Sequence, residues 1–393
     1  MDLFKKCFEF EDAAKVKDQG YYPYFIPFSG GDDNTMEYEG EEKIMIGSNS
    51  YLGLTHHPRV VKAAQEATEE YGTGRTGSRF LNGTMDIHRE FENELADFVG
   101  KDSALVFSTG YLVNLGVIST LLGRKDYLIL DRLDHASIID GSILSRANIL
   151  RYEHNNMDDL ERKLQKVPDD RGAMIIVDGI FSMEGSIAKL PQIAELADQY
   201  DVRLMVDDAH SLGVLGPQGN GTAAHFGITD KVDLIMGTFS KSFAAIGGFI
   251  AGDDEVIDYI KHNARAFIFT ASLPPSVVAS TREALKIIKE DEERRERLWE
   301  ISDYMRENLQ QIGFDTSASE TPVVPVVVGD NDKTFQLWKR LFDDNIYTNA
   351  VVSPAVPSNS SRLRTSYIAT HTDEQLDYVL EKFEENGKEL GLI

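Results

Sequence analysis

Between residues 88 and 206, short apolar runs alternate with helix-length amphipathic stretches, and the apolar runs do not themselves alternate with polar residues. Met174-Ile175-Ile176-Val177 is apolar throughout. Successive side chains of a strand point to opposite faces, so such a strand needs cover on both. The spacing predicts helices over 88–98, from 111, and over 138–146, 157–165 and 191–200. Between them it predicts strands over 104–107, 127–130, 148–152, 174–177 and 203–206. The fold class that follows is α/β: a large domain with a mostly parallel sheet covered by helices, whose ligands bind beyond the strand carboxyl ends.

Polar residues collect at those ends. The apolar run Val232-Asp233-Leu234-Ile235-Met236 delivers Gly237-Thr238-Phe239-Ser240-Lys241-Ser242, and Ile246 to Ile250 leaves it. A lone Ser-Lys at a strand end is most often a solvated surface group. Lysine becomes a nucleophile toward aldehydes when burial or a neighbouring cation disfavours its charge. Ser108-Thr109-Gly110-Tyr111 opens a helix whose N–H groups suit a phosphate. His135 follows a strand after one turn, where an imidazole can lie flat on a pyridine ring, and Ser182, Asp207 and His210 follow two others. Asp against a pyridine nitrogen keeps that nitrogen protonated and makes the ring an electron sink. Together these residues point to pyridoxal phosphate as the cofactor.

Two further stretches are candidates for substrate contact. Asn49, in Gly47-Ser48-Asn49-Ser50, is placed to grip a carboxylate, although a turn asparagine is the plainer reading. Gly72 to Arg79 is dense in glycine and hydroxyls and carries two arginines, so Ser78 and Arg79 are candidates to wrap a phosphate or a CoA tail.

Composition narrows the remaining classes. A single cysteine, Cys7, excludes an internal disulfide and a thiolate metal cluster, and no metal site is expected. A net charge of -25 opposes nucleic acid and anionic membranes at long range. No apolar run approaches the roughly 20 residues of a membrane span, and the start lacks the apolar core of a secretory signal, so cytoplasmic residence is expected. Past Ala251 the chain turns to long charged helices, with strands over 323–328, 346–352 and 362–369, which reads as a smaller α+β domain. The expected division is a segment of helix and hairpin over 1–45, a large domain over 46–280 and a small one over 281–393.

These residues together resemble the α-oxoamine synthase group of fold-type I pyridoxal-phosphate enzymes over nearly the whole chain. The group's lysine pattern resembles Thr238-Phe239-Ser240-Lys241. Its ring-nitrogen aspartate and ring-oxygen histidine match Asp207 and His210, and its stacking histidine matches His135 in Asp134-His135-Ala136-Ser137. The resemblance implies that Gly110, Tyr111, Thr238 and Ser240 meet the phosphate and that Ser182 lies beside the ring oxygen. It implies that Thr270 and Ser272 reach the phosphate of a second subunit, hence a homodimer with shared active sites. Arg364 matches the arginine for the substrate carboxylate, with Asn49 as its neighbour. Thr76 to Thr84, Phe107 to Gly116 and Phe269 to Pro275 are most similar to the bacterial serine palmitoyltransferase branch, which condenses L-serine with a long-chain acyl-CoA. Peripheral contact with a membrane would suit such a lipid product. One departure is Val352, in Asn349-Ala350-Val351-Val352, where some members of that branch carry arginine; this stretch resembles glycine acetyltransferase instead. An aminotransferase on the same fold is the further alternative. A silent partner subunit is disfavoured because Lys241 is present.

Overall fold

A computed structural model describes residues 2–353, 355–357 and 359–393. The chain forms two compact units, Asn49–Leu298 and Met1–Ser48 with Trp299–Ile393.

The N-terminal strands are β1 (Thr35–Tyr38) and β2 (Glu41–Met45), antiparallel with Tyr38 opposite Glu41. Their turn is Glu39-Gly40, both with positive φ (52° and 83°), the two-residue geometry that matches strand twist. The chain also reverses just before them, the Ser29 amide donating to Glu37 O at 3.1 Å and the Glu37 amide to Gly30 O at 3.0 Å. The helix expected within the first 45 residues is two, Lys5–Phe8 and Asp12–Asp18. The first buries no residue, and Phe8 and Phe10 are exposed, so no packed face carries a helix through the join.

The larger unit holds β3 (Ser103–Phe107), β4 (Tyr127–Asp131), β5 (Asn148–Tyr152), β6 (Ala173–Asp178), β7 (Arg203–Asp207), β8 (Leu234–Thr238) and β9 (Gly248–Gly252). They make one sheet in the order β3-β9-β8-β7-β6-β4-β5. Neighbours are parallel except at β9, which runs against β3 and β8. Met174 and Ile176 of β6 join Val113 and Val117 of the helix Gly110–Leu121 in one core layer. Ile175 and Val177, facing the other way, are equally buried, so the sheet is covered on both sides as the unbroken apolar run requires.

The helix Pro58–Tyr71 has no counterpart in the sequence reading. Its local signal is Pro58 at the first helical position after His57, whose side chain accepts from the Arg59 amide. It packs along the helix Pro275–Glu290, which for that reason belongs to the larger unit. The boundary thus falls at Leu298 and not at residue 280. A second helix, Glu292–Ile312, follows that one after a break at Asp291, where a single extended helix was expected.

The other unit contains β10 (Val323–Gly329), β11 (Ile346–Tyr347), β12 (Asn349–Val351) and β13 (Ser361–Ser366). One strand was expected over 346–352, but it breaks at Thr348. β11 pairs with β2, whereas β12 joins the antiparallel sheet β10-β13-β12. The pairing of Ile44 with Ile346 is what assigns the first 48 residues to this unit. Its core includes Trp338, Leu363 and Phe383, with Val352 packed against it. Pro354, part of the Pro-rich turn expected at 353–357, lies outside the described residues. Among the described residues no helix is long and apolar enough to cross a membrane.

Candidate active site

The carboxyl ends of β4, β6, β7 and β8 and the start of the helix after β3 converge on a cavity of ≈ 330 Å3. Its wall includes Gly110, Tyr111, His135, Asp178, Asp207, His210, Thr238, Ser240 and Lys241.

At one side the helix Gly110–Leu121 begins. Thr109 caps it, its hydroxyl accepting from the Leu112 amide at 3.2 Å, which leaves the amides of Gly110 and Tyr111 outside the helical pattern. A Cβ on Gly110 would come within 2.8 Å of Thr238 Oγ1, so only glycine lets the helix start lie on the end of β8. The hydroxyls of Thr238 and Ser240 are 3.0 Å apart beside it. The Thr238 hydroxyl donates to Gly247 O at 3.1 Å, which leaves the amides at the helix start and the Ser240 hydroxyl as the donor set for an anion. The Tyr111 hydroxyl itself donates to Asp140.

At the other side stands Asp207. Its Oδ1 accepts from the Ala209 amide at 3.0 Å and its Oδ2 from the side-chain amide of Asn114 at 2.7 Å. Tyr51, buried, places its hydroxyl 2.6 Å from His210 Nδ1. His135 caps the helix Ala136–Ser145, its Nδ1 accepting from the Ser137 amide at 3.2 Å and lying 2.8 Å from Ser137 Oγ. Burial pushes the His135 pKa down; Asp207 opposes that shift and the Lys241 charge adds to it.

Asp178, in the cavity wall, is buried together with Asp131 and Asp134. Asp134 Oδ1 accepts from the Asp178 amide at 3.0 Å, and Asp131 accepts from the amides of Leu133 and Asn155. Burial pushes Asp134 and Asp178 well above the ordinary carboxyl range, with Asp131 adding most to the first and Asp207 to the second. Burial thus favours the neutral form of both carboxyls.

Of the residues read from the sequence, Gly110, Tyr111, His135, Asp207, His210, Thr238, Ser240 and Lys241 share this cavity. Ser182 does not line it. It sits in a turn past the β6 end, bracketed by the Gly185 amide bonding to Phe181 and by the Ile180–Ile187 bridge. Thr270 and Ser272 lie on a loop whose Ser272 amide donates to Gly77 O at 2.9 Å. Asn49 opens the larger unit, and Arg364 lies buried on β13 of the other. Arg79 is a correction. Its guanidinium grips Glu92 through two bonds of 2.8 and 2.9 Å and donates to Thr84 Oγ1. That fork is spent on a buried ion pair and is not offered to a ligand. Ser78, beside it, keeps a buried hydroxyl with no partner among the described residues.

The sequence reading missed Tyr51, Asn114, Ser137 and Asp178. For Asn114 a signal existed: it stands four residues after Gly110, one turn along the same helix face.

An amine, a carboxylate, two imidazoles and an anion cradle around one cavity suit an aromatic aldehyde with an anionic tail. The chain belongs to the class I and II aminotransferase family, whose sequence profile matches residues 41–383. Its fold is that of the fold-type I transferases. The serine palmitoyltransferase of Sphingobacterium spiritivorum is 53% identical over 97% of this chain and 95% of its own. The 8-amino-7-oxononanoate synthase of Thermoanaerobacter pseudethanolicus is 42% identical over 98% and 97%. Among solved structures, a serine palmitoyltransferase from S. paucimobilis with a PLP–myriocin aldimine bound matches with a TM-score of 0.96 at 36% identity, covering both chains entirely.

Proposed function

We propose that this chain binds pyridoxal phosphate and condenses L-serine with a long-chain acyl-CoA such as palmitoyl-CoA, giving 3-oxosphinganine, CoA and CO2. The observation that carries the reading is Lys241 in one cavity with Asp207, His135 and His210, in a chain 53% identical to a serine palmitoyltransferase.

The residues present fit the cofactor. Gly110 leaves the close approach of helix and strand that an anion cradle needs, and the donors there are two backbone amides and the Ser240 hydroxyl, with Thr238 beside them. Asp207 is an acceptor for a ring N–H. When bound, the cofactor supplies an aldehyde that captures an amine and a ring that takes up an electron pair. The protein supplies the rest. Asp207 holds a proton at the ring nitrogen, His135 offers a flat wall, and His210, braced by Tyr51, donates toward the ring oxygen, where the reading also puts Ser182. The Lys241 amine takes the proton from the serine Cα as general base. Arg364 and Asn49 receive the serine carboxylate. A bond then forms between Cα and the acyl carbonyl carbon as the carbonyl–sulfur bond breaks and CoA leaves. The carboxylate departs as CO2, and a proton returns to Cα. In this reading the enzyme works in the cytoplasm.

The active unit in this reading is a homodimer, with Thr270 and Ser272 of each copy serving the other's phosphate and Ser78 near the CoA. In support, Phe80, Leu81 and Phe269 are more than half exposed on two loops bonded to each other through Ser272 and Gly77. Exposed apolar side chains so grouped suit a protein partner. The apolar Val352 has a sufficient explanation in packing against the core of its own unit, so it does not argue for glycine as substrate.

The test is kcat/KM across serine, glycine and alanine paired with acetyl-, octanoyl- and palmitoyl-CoA. Serine with palmitoyl-CoA should lead by on the order of tenfold or more, since each buried methylene adds about 0.8 kcal/mol and a site built for the serine hydroxyl rejects glycine. A best pair of glycine with acetyl-CoA would move the chain to the glycine acetyltransferase reading. Pyridoxamine phosphate and a keto acid after a single turnover would mark an aminotransferase.

A further inference from the structure

Asn114 is completely buried, and its side-chain amide reaches two partners: Asp207 Oδ2 at 2.7 Å and Ser137 Oγ at 2.8 Å. An NH2 group can only donate. Ser137 Oγ therefore accepts from Asn114, and its single proton is left to donate to His135 Nδ1, 2.8 Å away. The Ser137 backbone amide donates to that same nitrogen at 3.2 Å. The direction of every bond is thereby fixed, from Asn114 outward to Asp207 at one end and through Ser137 to His135 at the other. Both ends are acceptors. Asp207 must present an unprotonated oxygen, and His135 must keep Nδ1 bare and carry its proton on Nε2.

The geometry points to Asn114 and Ser137 as positioning residues that hold His135 in its Nε2–H tautomer and tie that tautomer to an ionised Asp207. The two groups that would meet opposite parts of a bound ring are then set by one amide, before any ligand arrives. Turning the Asn114 amide over would set its carbonyl oxygen against Asp207 and require a proton on that carboxylate, and a proton on His135 Nδ1 would meet the Ser137 amide. The inference rests on the proposed function only for the ring these groups would face; the bond directions belong to the chain itself.

The decisive measurement is made on the full chain freed of cofactor and labelled with 15N in its histidine rings, with His135 identified by the signal lost in His135→Asn. At neutral pH the parent should show one protonated and one bare ring nitrogen for His135. Ser137→Ala removes one oxygen and Asn114→Asp is isosteric, so both should fold. Both should move the two His135 nitrogens toward averaged values as the tautomers mix. Asn114→Asp should move them further, because it also sets a second carboxylate against Asp207. In the loaded enzyme kcat with serine should fall about tenfold while KM changes little, as for other supporting-shell residues. Unchanged His135 ring shifts in both variants would overturn the inference, since the backbone amide alone would then suffice. A parent that neither binds the cofactor nor turns over serine would end the proposed function and leave the ring-nitrogen result to decide this one.

Discussion

Lys241 sits in a loop that its own backbone braces: the Ala244 amide donates to Lys241 O and the Ala245 amide to Phe239 O, both at 2.9 Å. Removing the amine should leave this loop intact. Lys241→Ala is expected to fold and to lose activity by on the order of 10^3-fold or more, with no cofactor left on the chain after borohydride reduction. Reduced cofactor mapped to another lysine would sink the assignment. The carboxyls give a sharper contrast. Burial favours the neutral form of Asp178, so Asp178→Asn, its near isostere, should leave activity within about threefold. Asp207→Asn removes the charge and should lower kcat on the order of 10^2-fold or more. Equal losses in the two variants would show that Asp178 is ionised in the working enzyme.

Among elements, the loop over 72–84 and the helix Asp86–Val99 are joined by the Arg79–Glu92 pair, and Glu92 Oε1 also accepts from the Val106 amide of β3 at 2.9 Å. One carboxylate thus pins loop, helix and strand. Arg79→Ala strands it, and breaking a buried pair from one side costs about 3–5 kcal/mol. A urea midpoint should register that loss, and Arg79→Ala with Glu92→Leu should recover part of it. An Arg79→Ala variant of unchanged stability whose KM for acyl-CoA rises would restore the anion-binding role.

At the scale of the whole molecule, pH acts through buried titratable groups. His371 is buried, its Nε2 3.1 Å from Met45 O and its Nδ1 accepting from the Ile368 amide at 3.0 Å. Burial pushes its pKa down to about 4 from an ordinary 6.5. Protons therefore favour the unfolded chain. The stabilisation from neutral His371 is complete above pH 6.5 and is lost as pH falls toward 4, amounting to about 3 kcal/mol. Asp208, pushed up to about 6 by burial, works the other way, its contribution falling as pH rises from 3.8 to 6. His371→Gln compared with its parent isolates the first effect: the stability difference should shrink as pH drops through that window. A constant difference would mean that His371 is charged in the fold. Assembly belongs to the same scale. Sedimentation under assay conditions should find activity only in the dimer, and full activity in a verified monomer would refute the shared site.

The unbroken apolar runs required a sheet covered on both faces, and the residues after β4, β7 and β8 had to gather at one edge because parallel strands end together. That much of the site, from Gly110 to Lys241, was legible because period and punctuation are local properties. Arg79 read as an anion ligand because an arginine in a glycine-rich loop looks free until Glu92, thirteen residues on, is seen to hold it. Asn114 carried no meaning in sequence beyond its helical offset; its role depends on Asp207, 93 positions away. The break at Thr348 was hidden because Ile346 to Val352 suits a strand, and only the choice between two partner sheets divides it. Local pattern sets which segments become strands and helices and which faces they bury, whereas strand partners, hydrogen-bond direction, ion pairing and the protonation of buried carboxyls depend on neighbours that only the folded chain brings within reach.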